Sequence, residues 1–91
     1  MKHDLKIWPQ YFYHVANGTN TFELRENDRG FQPGDLVVLR EWDPATQTED
    51  DPLGSYEVPK GYTGNFVTFK VGYVLPIDAT RVVFSLLKEK P

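Results

Sequence analysis

The chain has 91 residues, of which 40% are hydrophobic and 14% aromatic, with a formal charge of −3 and no cysteine. That length makes one domain, residues 1–91, able to bury roughly 60–65% of the surface its unfolded chain exposes. A disulfide scaffold and a thiolate metal site are excluded, and the acidic balance argues against strong non-specific nucleic-acid binding, which depends on counterion release from a basic surface.

"HDLKI" alternates polar and apolar residues and reads as a short first strand. The N-terminal stretch "MKHDLKIWPQ" has no apolar run of signal-peptide length, and no segment approaches the ~20 residues of a membrane span. Together with the missing cysteines, this leads us to expect a reducing, cytoplasmic setting. Pro9 suits the first position of a helix, where its missing N–H costs nothing. Phe12, Val15 and Ala16 follow at helical spacing, with Tyr11 beside them and His14 on the polar side. Asn17-Gly18 supplies a left-handed stop. A helix of about nine residues is marginal alone and needs packing on a sheet. "NGT" at Asn17–Thr19 has the form of a glycosylation sequon, but is read as a turn.

"TFELRE" is the second strand, expected to turn Phe22 and Leu24 inward and to leave Thr21, Glu23 and Arg25 as a polar outer row. "NDRGFQPGD" carries turn chemistry, with Asn27 and Asp28 expected to bond their own backbone. "DLVVLREW" is the third strand. Between Glu41 and Glu57 stand six acids and no Lys or Arg, leaving ten Lys and Arg against seven acids elsewhere, a mildly basic body of +3. The acidic, Pro- and Gly-containing loop at about 43–64 is longer than ordinary connectors, and loops of that kind are commonly functional or disordered. "FVTFKVGYVL" is the fourth strand, with Val67, Phe69, Val71, Tyr73 and Leu75 expected on one face. "RVVFSLLKE" is the fifth, expected to pair back near the first. Five strands and one helix after the first strand imply a small, mostly antiparallel α+β barrel, whose closure removes exposed edges.

Gly18-Thr19-Asn20-Thr21-Phe22-Glu23-Leu24-Arg25 resembles the G-x-K-x-x-E-x-R signature of ASCH domains, members of the PUA-like superfamily of small β-barrels. Residues 3–44 are also similar to the opening of a bacterial and phage family of unknown function related to ASCH. That family's pattern runs H-x-L-K, a Pro-x-x-Phe helix, G-x-K-T-F-E-x-R, N-D-R-x-F and G-D-x-L-x-L-x-E-W. The resemblance implies a PUA-like barrel and RNA binding. One ASCH branch comprises small amidohydrolases that cleave acetylcytidine with a Lys, a Thr and a Glu. On this chain their Lys falls on Asn20 and their Thr on Glu23, while Thr21 matches a Thr the signature tolerates. The place of their Glu is not assigned.

An amide at Asn20 cannot act as the base or nucleophile that a lysine of lowered pKa can. Glu23 is the one candidate for residual catalysis. Glu23 and Arg25 share a strand face about 7 Å apart. In a cleft the carboxylate can accept from a base's N–H groups and the guanidinium can hold a phosphate or carbonyl. In solvent they are an ion pair of little consequence. His3 can donate to a ligand, Lys6 can meet a phosphate and Trp8 can stack on a base. The structural alternatives are a solvated His and Lys and a core Trp, and the last is favoured for Trp8. Arg29 can reach a phosphate over the cleft rim, and Trp42 can form a stacking platform or a barrel lid. The two histidines are too far apart in sequence for a metal site, and neither metal nor cofactor is expected. The leading expectation is a non-catalytic module for RNA or a nucleotide-like ligand, its cleft between the helix, the second strand and the 26–31 turn. A nucleoside amidohydrolase and a protein-interaction module are the alternatives.

Overall fold

The structure, a computed structural model, describes residues 1–44 and 61–88. Most of the acidic segment expected at 43–64 therefore lies outside the described residues. The elements run β1 Lys2–Ile7, α1 Pro9–Ala16, β2 Phe22–Glu26, β3 Leu36–Trp42, β4 Tyr62–Pro76 and β5 Arg81–Lys88. They form a small α+β fold, a five-stranded sheet in the order β1-β3-β4-β5-β2, curled into a half-barrel.

Alternation in β1 buries His3, Leu5 and Ile7 and exposes Lys2, Asp4 and Lys6. Trp8 is extended, and its carbonyl accepts from the N–H groups of Tyr11 and Phe12 to open α1, with Pro9 in the first turn. Val15, 1% exposed, anchors the helix, and Phe12 packs beside the core. Gly18 at φ 83° lets the chain leave the helix in a conformation that side chains disfavour. The chain passes through α1 and β2 before returning as β3, which pairs parallel to β1; parallel neighbours need such a crossover. The other three pairings are antiparallel.

β5 pairs with β4 and β2, so the expected return to β1 does not occur. No ladder joins β1 to β2, and the sheet keeps these two edges instead of closing. The single face expected for β4 is broken as well. Val71 pairs with Leu86 but Val74 with Phe84, so one extra residue of β4 bulges out near Gly72 and Tyr73. The bulge sends Tyr73 to solvent and returns Val74 to the core. Ser85 Oγ accepts the Tyr73 N–H at 2.8 Å, satisfying an amide that the ladder abandons.

The core is built on Leu5, Ile7, Val37, Leu39, Phe69, Val71, Val82, Phe84 and Leu86, with Phe31 contributed by the turn before β3. Each such side chain contributes roughly 1.5–3 kcal/mol on full burial. Asn27 Oδ1 accepts the Phe31 N–H at 3.2 Å, and this shapes the turn so that Phe31 points inward against Phe84, with ring centroids 4.8 Å apart.

Candidate functional site

Register decides which way β2 faces. Directly opposed residues of an antiparallel pair point to the same side of the sheet. Glu23 lies opposite Phe84 and Arg25 opposite Val82, both core residues, whereas Phe22 and Leu24 lie opposite Ser85 and Val83. The expected orientation is therefore reversed. Phe22 and Leu24 are 55% and 48% exposed, and Glu23 is only 8% exposed. Alternation established that the two sets part, but not which set goes inside.

A buried carboxylate needs compensation. Arg25 Nε donates to Glu23 Oε2 at 2.8 Å, and Arg25 Nη2 donates to the Lys6 carbonyl at 2.7 Å. The guanidinium thus neutralises Glu23 and fastens β2 to β1 across the open seam. Burial pushes the Glu23 carboxyl above its ordinary value, against the opposing pull of Arg25's charge and hydrogen bond. No donor to Glu23 Oε1 is found among the described residues, yet no side-chain polar atom is both buried and unsatisfied. That oxygen therefore opens to the cleft.

Two recesses flank the Arg25 bridge, sharing Lys6, Leu24 and Arg25. One, of about 650 Å³, is walled by Ile7, Trp8, Tyr11, Phe22 and Trp42, with Asn20 and Glu23 as further polar members. Trp8 and Trp42 meet edge to face with ring centroids 5.3 Å apart. The other recess, of about 580 Å³, is charged and includes Asp4, Glu26, Asp28, Arg29, Tyr62 and Arg81. Asp4 is paired to Arg40 at 3.0 Å and Arg81 to Asp78 at 2.7 Å.

The structure thus brings Lys6, Trp8, Asn20, Glu23, Arg25 and Trp42 to one cleft. Trp8 is 48% exposed, which corrects its expected place in the core: leaving the end of β1, it stands against Trp42 at the seam. Lys6 Nζ lies 4.7 Å from the Trp42 ring centroid, a cation–π contact. Arg29 belongs to the charged recess. Thr21 is exposed and lines neither recess; its backbone carbonyl accepts from the Leu86 N–H.

His3 does not reach the cleft. It is buried against Phe31, and its Nε2 lies 2.9 Å from Asp35 Oδ2. Asp35 also accepts the Gln32 N–H, and the His3 contact leads the interactions that hold its carboxyl down to about 2. This pair belongs to the frame, joining β1 to the start of β3. Among the cleft residues that sequence reasoning left out, Tyr11 follows Trp8 by three positions, nearly one helical turn, and that spacing was a usable signal. Tyr62 and Arg81 carried none, because β4 and β5 bring them to the seam from far along the chain.

A family described as a domain of unknown function (DUF3850) matches residues 2–85. An "Uncharacterized 12.9 kDa protein in GpA 3′region" of Escherichia phage P2 is 38% identical over 40 residues, which are 44% of this chain. The match spans 37% of the phage protein's length.

Proposed function

The chain belongs to the DUF3850 family of unknown function, and from that premise we propose that it is an RNA- or nucleotide-binding module of ASCH and PUA-like kinship, acting without catalysis in the cytoplasm. The observation that carries the reading is Glu23: a buried carboxylate, neutralised on one oxygen by Arg25 and open on the other to an aromatic cleft. Ligand pockets typically combine apolar walls with a few placed polar groups. Trp8, Tyr11, Phe22 and Trp42 offer ring faces on which a base can stack, worth roughly 1–3 kcal/mol per base in single-strand binders. Glu23 offers an acceptor for the base edge, and Arg25, Lys6 and Arg29 offer cations for carbonyl or phosphate oxygens.

Asn20 weighs against hydrolysis of a modified nucleoside such as acetylcytidine. Its amide stands where the resemblance places a catalytic lysine, and its Oδ1 is already engaged by the Phe22 N–H at 3.2 Å. The test is a thermal-shift and binding series with short single-stranded RNAs and mononucleotides at increasing salt. Saturable binding that weakens with salt supports the reading. Release of acetate from acetylcytidine, abolished in Glu23→Ala, would replace it with the hydrolytic one.

A further inference from the structure

The hydrogen-bonding capacity left open in the cleft is specific enough to name a base edge. Asn20 Oδ1 accepts from the Phe22 N–H, and since a backbone N–H can only donate, the amide orientation is fixed. Asn20 Nδ2 is then the free end, a donor. Glu23 Oε2 is taken by Arg25, which leaves Oε1 as an acceptor. Arg25 spends Nε on Glu23 and Nη2 on the Lys6 carbonyl, leaving Nη1 as a second donor. No side-chain polar atom is buried without a partner among the described residues, so these three open groups reach solvent where their residues line the cleft. Along the chain the order is Asn20, Glu23, Arg25: donor, acceptor, donor.

We infer that this row of donor, acceptor and donor selects an imide edge, carbonyl–N–H–carbonyl, as uracil presents it. The inference rests on the nucleotide reading of the cleft and goes beyond it by naming the base class. Cytosine presents donor–acceptor–acceptor and would set its N3 lone pair against Glu23. Guanine presents acceptor–donor–donor and would set its amino group against Arg25. Adenine likewise puts a ring acceptor opposite the carboxylate. A site built to hydrogen-bond a given group rejects analogues that leave its buried polar atoms unpaired. Xanthine shares the imide edge but adds a second ring, and it accompanies uracil as a match by edge alone.

The test is isothermal titration of the full chain with uridine, cytidine, guanosine, adenosine and 3-methyluridine, whose methyl group removes the central donor. Uridine is expected to bind best, with cytidine and 3-methyluridine weaker by roughly tenfold or more, as for the loss of a buried hydrogen bond to a charged group. Asn20→Asp keeps an oxygen for the Phe22 N–H but turns the free donor into an acceptor. The site then reads acceptor–acceptor–donor, complementary to guanine, and the ratio of guanosine to uridine affinity should rise. If nucleosides bind but 3-methyluridine equals uridine, or cytidine is preferred, the edge assignment is overturned while the nucleotide reading stands. If no nucleoside binds, the nucleotide reading itself fails and the edge assignment with it.

Discussion

Arg25 reaches across the open seam to Lys6: its Nη2 donates to the Lys6 carbonyl at 2.7 Å, spanning 19 residues of sequence and joining two edge strands that no ladder joins. The same guanidinium holds Glu23 through Nε. One side chain therefore supports both the fold's weakest junction and the polar group at its cleft.

Removing that side chain should be costly beyond its own contacts. Arg25→Ala leaves a buried carboxylate without its cation and frees the β1 and β2 edges. Arg25 is a quarter exposed, so solvent screens part of the effect, and a loss of about 1–2 kcal/mol is expected in urea unfolding. In a double-mutant cycle with Glu23→Gln, the two losses should not add, because the second change removes the charge that the first one strands.

Stability should carry a pH signature from Glu23. Its folded pKa is raised, so the folded state binds the proton more tightly than the unfolded state does. The resulting contribution is fully present below 4.5, the unfolded value, and is lost as pH rises through the raised folded value. Urea midpoints measured from pH 4 to 7 in wild type and Glu23→Gln should diverge with rising pH, wild type falling relative to the variant. Parallel curves would contradict the burial of a titrating Glu23.

Asp35 has the opposite sign. Its carboxyl is held down to about 2 from 3.8, so its contribution is present above the unfolded value and lost as pH falls through the folded one. Asp35→Asn should therefore remove a loss of stability between about pH 4 and 2. His3→Ala should destabilise by roughly 1–3 kcal/mol while leaving cleft affinity intact, since His3 lies in the frame. A large fall in affinity at unchanged stability would move His3 back into the site.

Gly61 tests the Trp42 wall. Its φ is +88°, and an added Cβ would collide with the Trp42 indole. Gly61→Ala should displace Trp42, change the tryptophan fluorescence and weaken ligand binding. Gly18→Ala pays a comparable backbone cost at φ +83° but meets nothing within 4 Å, so it should reduce stability and leave the fluorescence alone.

How much of this was legible in the residues varies with how local the cause is. The alternation of β1, Pro9 and Gly18 are local signals, and they yielded the first strand and the helix with its stop. Five strands and one helix followed from the same reading. The orientation of β2 did not, because it is set by register against Phe84 and Val82 some sixty residues away. The β4 bulge was equally hidden: its amide is rescued by Ser85, on another strand. Lys6, Trp8, Glu23, Arg25 and Trp42 were named from the sequence, yet Glu23 and Arg25 were assigned to the wet face. Their burial is what turns a solvated pair into a supported site. His3 shows the reverse, a candidate ligand group absorbed into the frame by Asp35, a residue whose place in the turn before β3 gave no hint of the partnership.

The most direct measurement is NMR mapping of the ¹⁵N-labelled chain, wild type and Arg25→Ala, during titration with a short single-stranded RNA and with its component mononucleotides. Saturable shifts should centre on the Trp8 and Trp42 indoles, the Asn20 side chain and the Glu23–Arg25 backbone, and should be largely lost in Arg25→Ala. Shifts that spare those positions for every nucleotide and RNA tried would contradict a nucleotide-binding cleft at the β1–β2 seam.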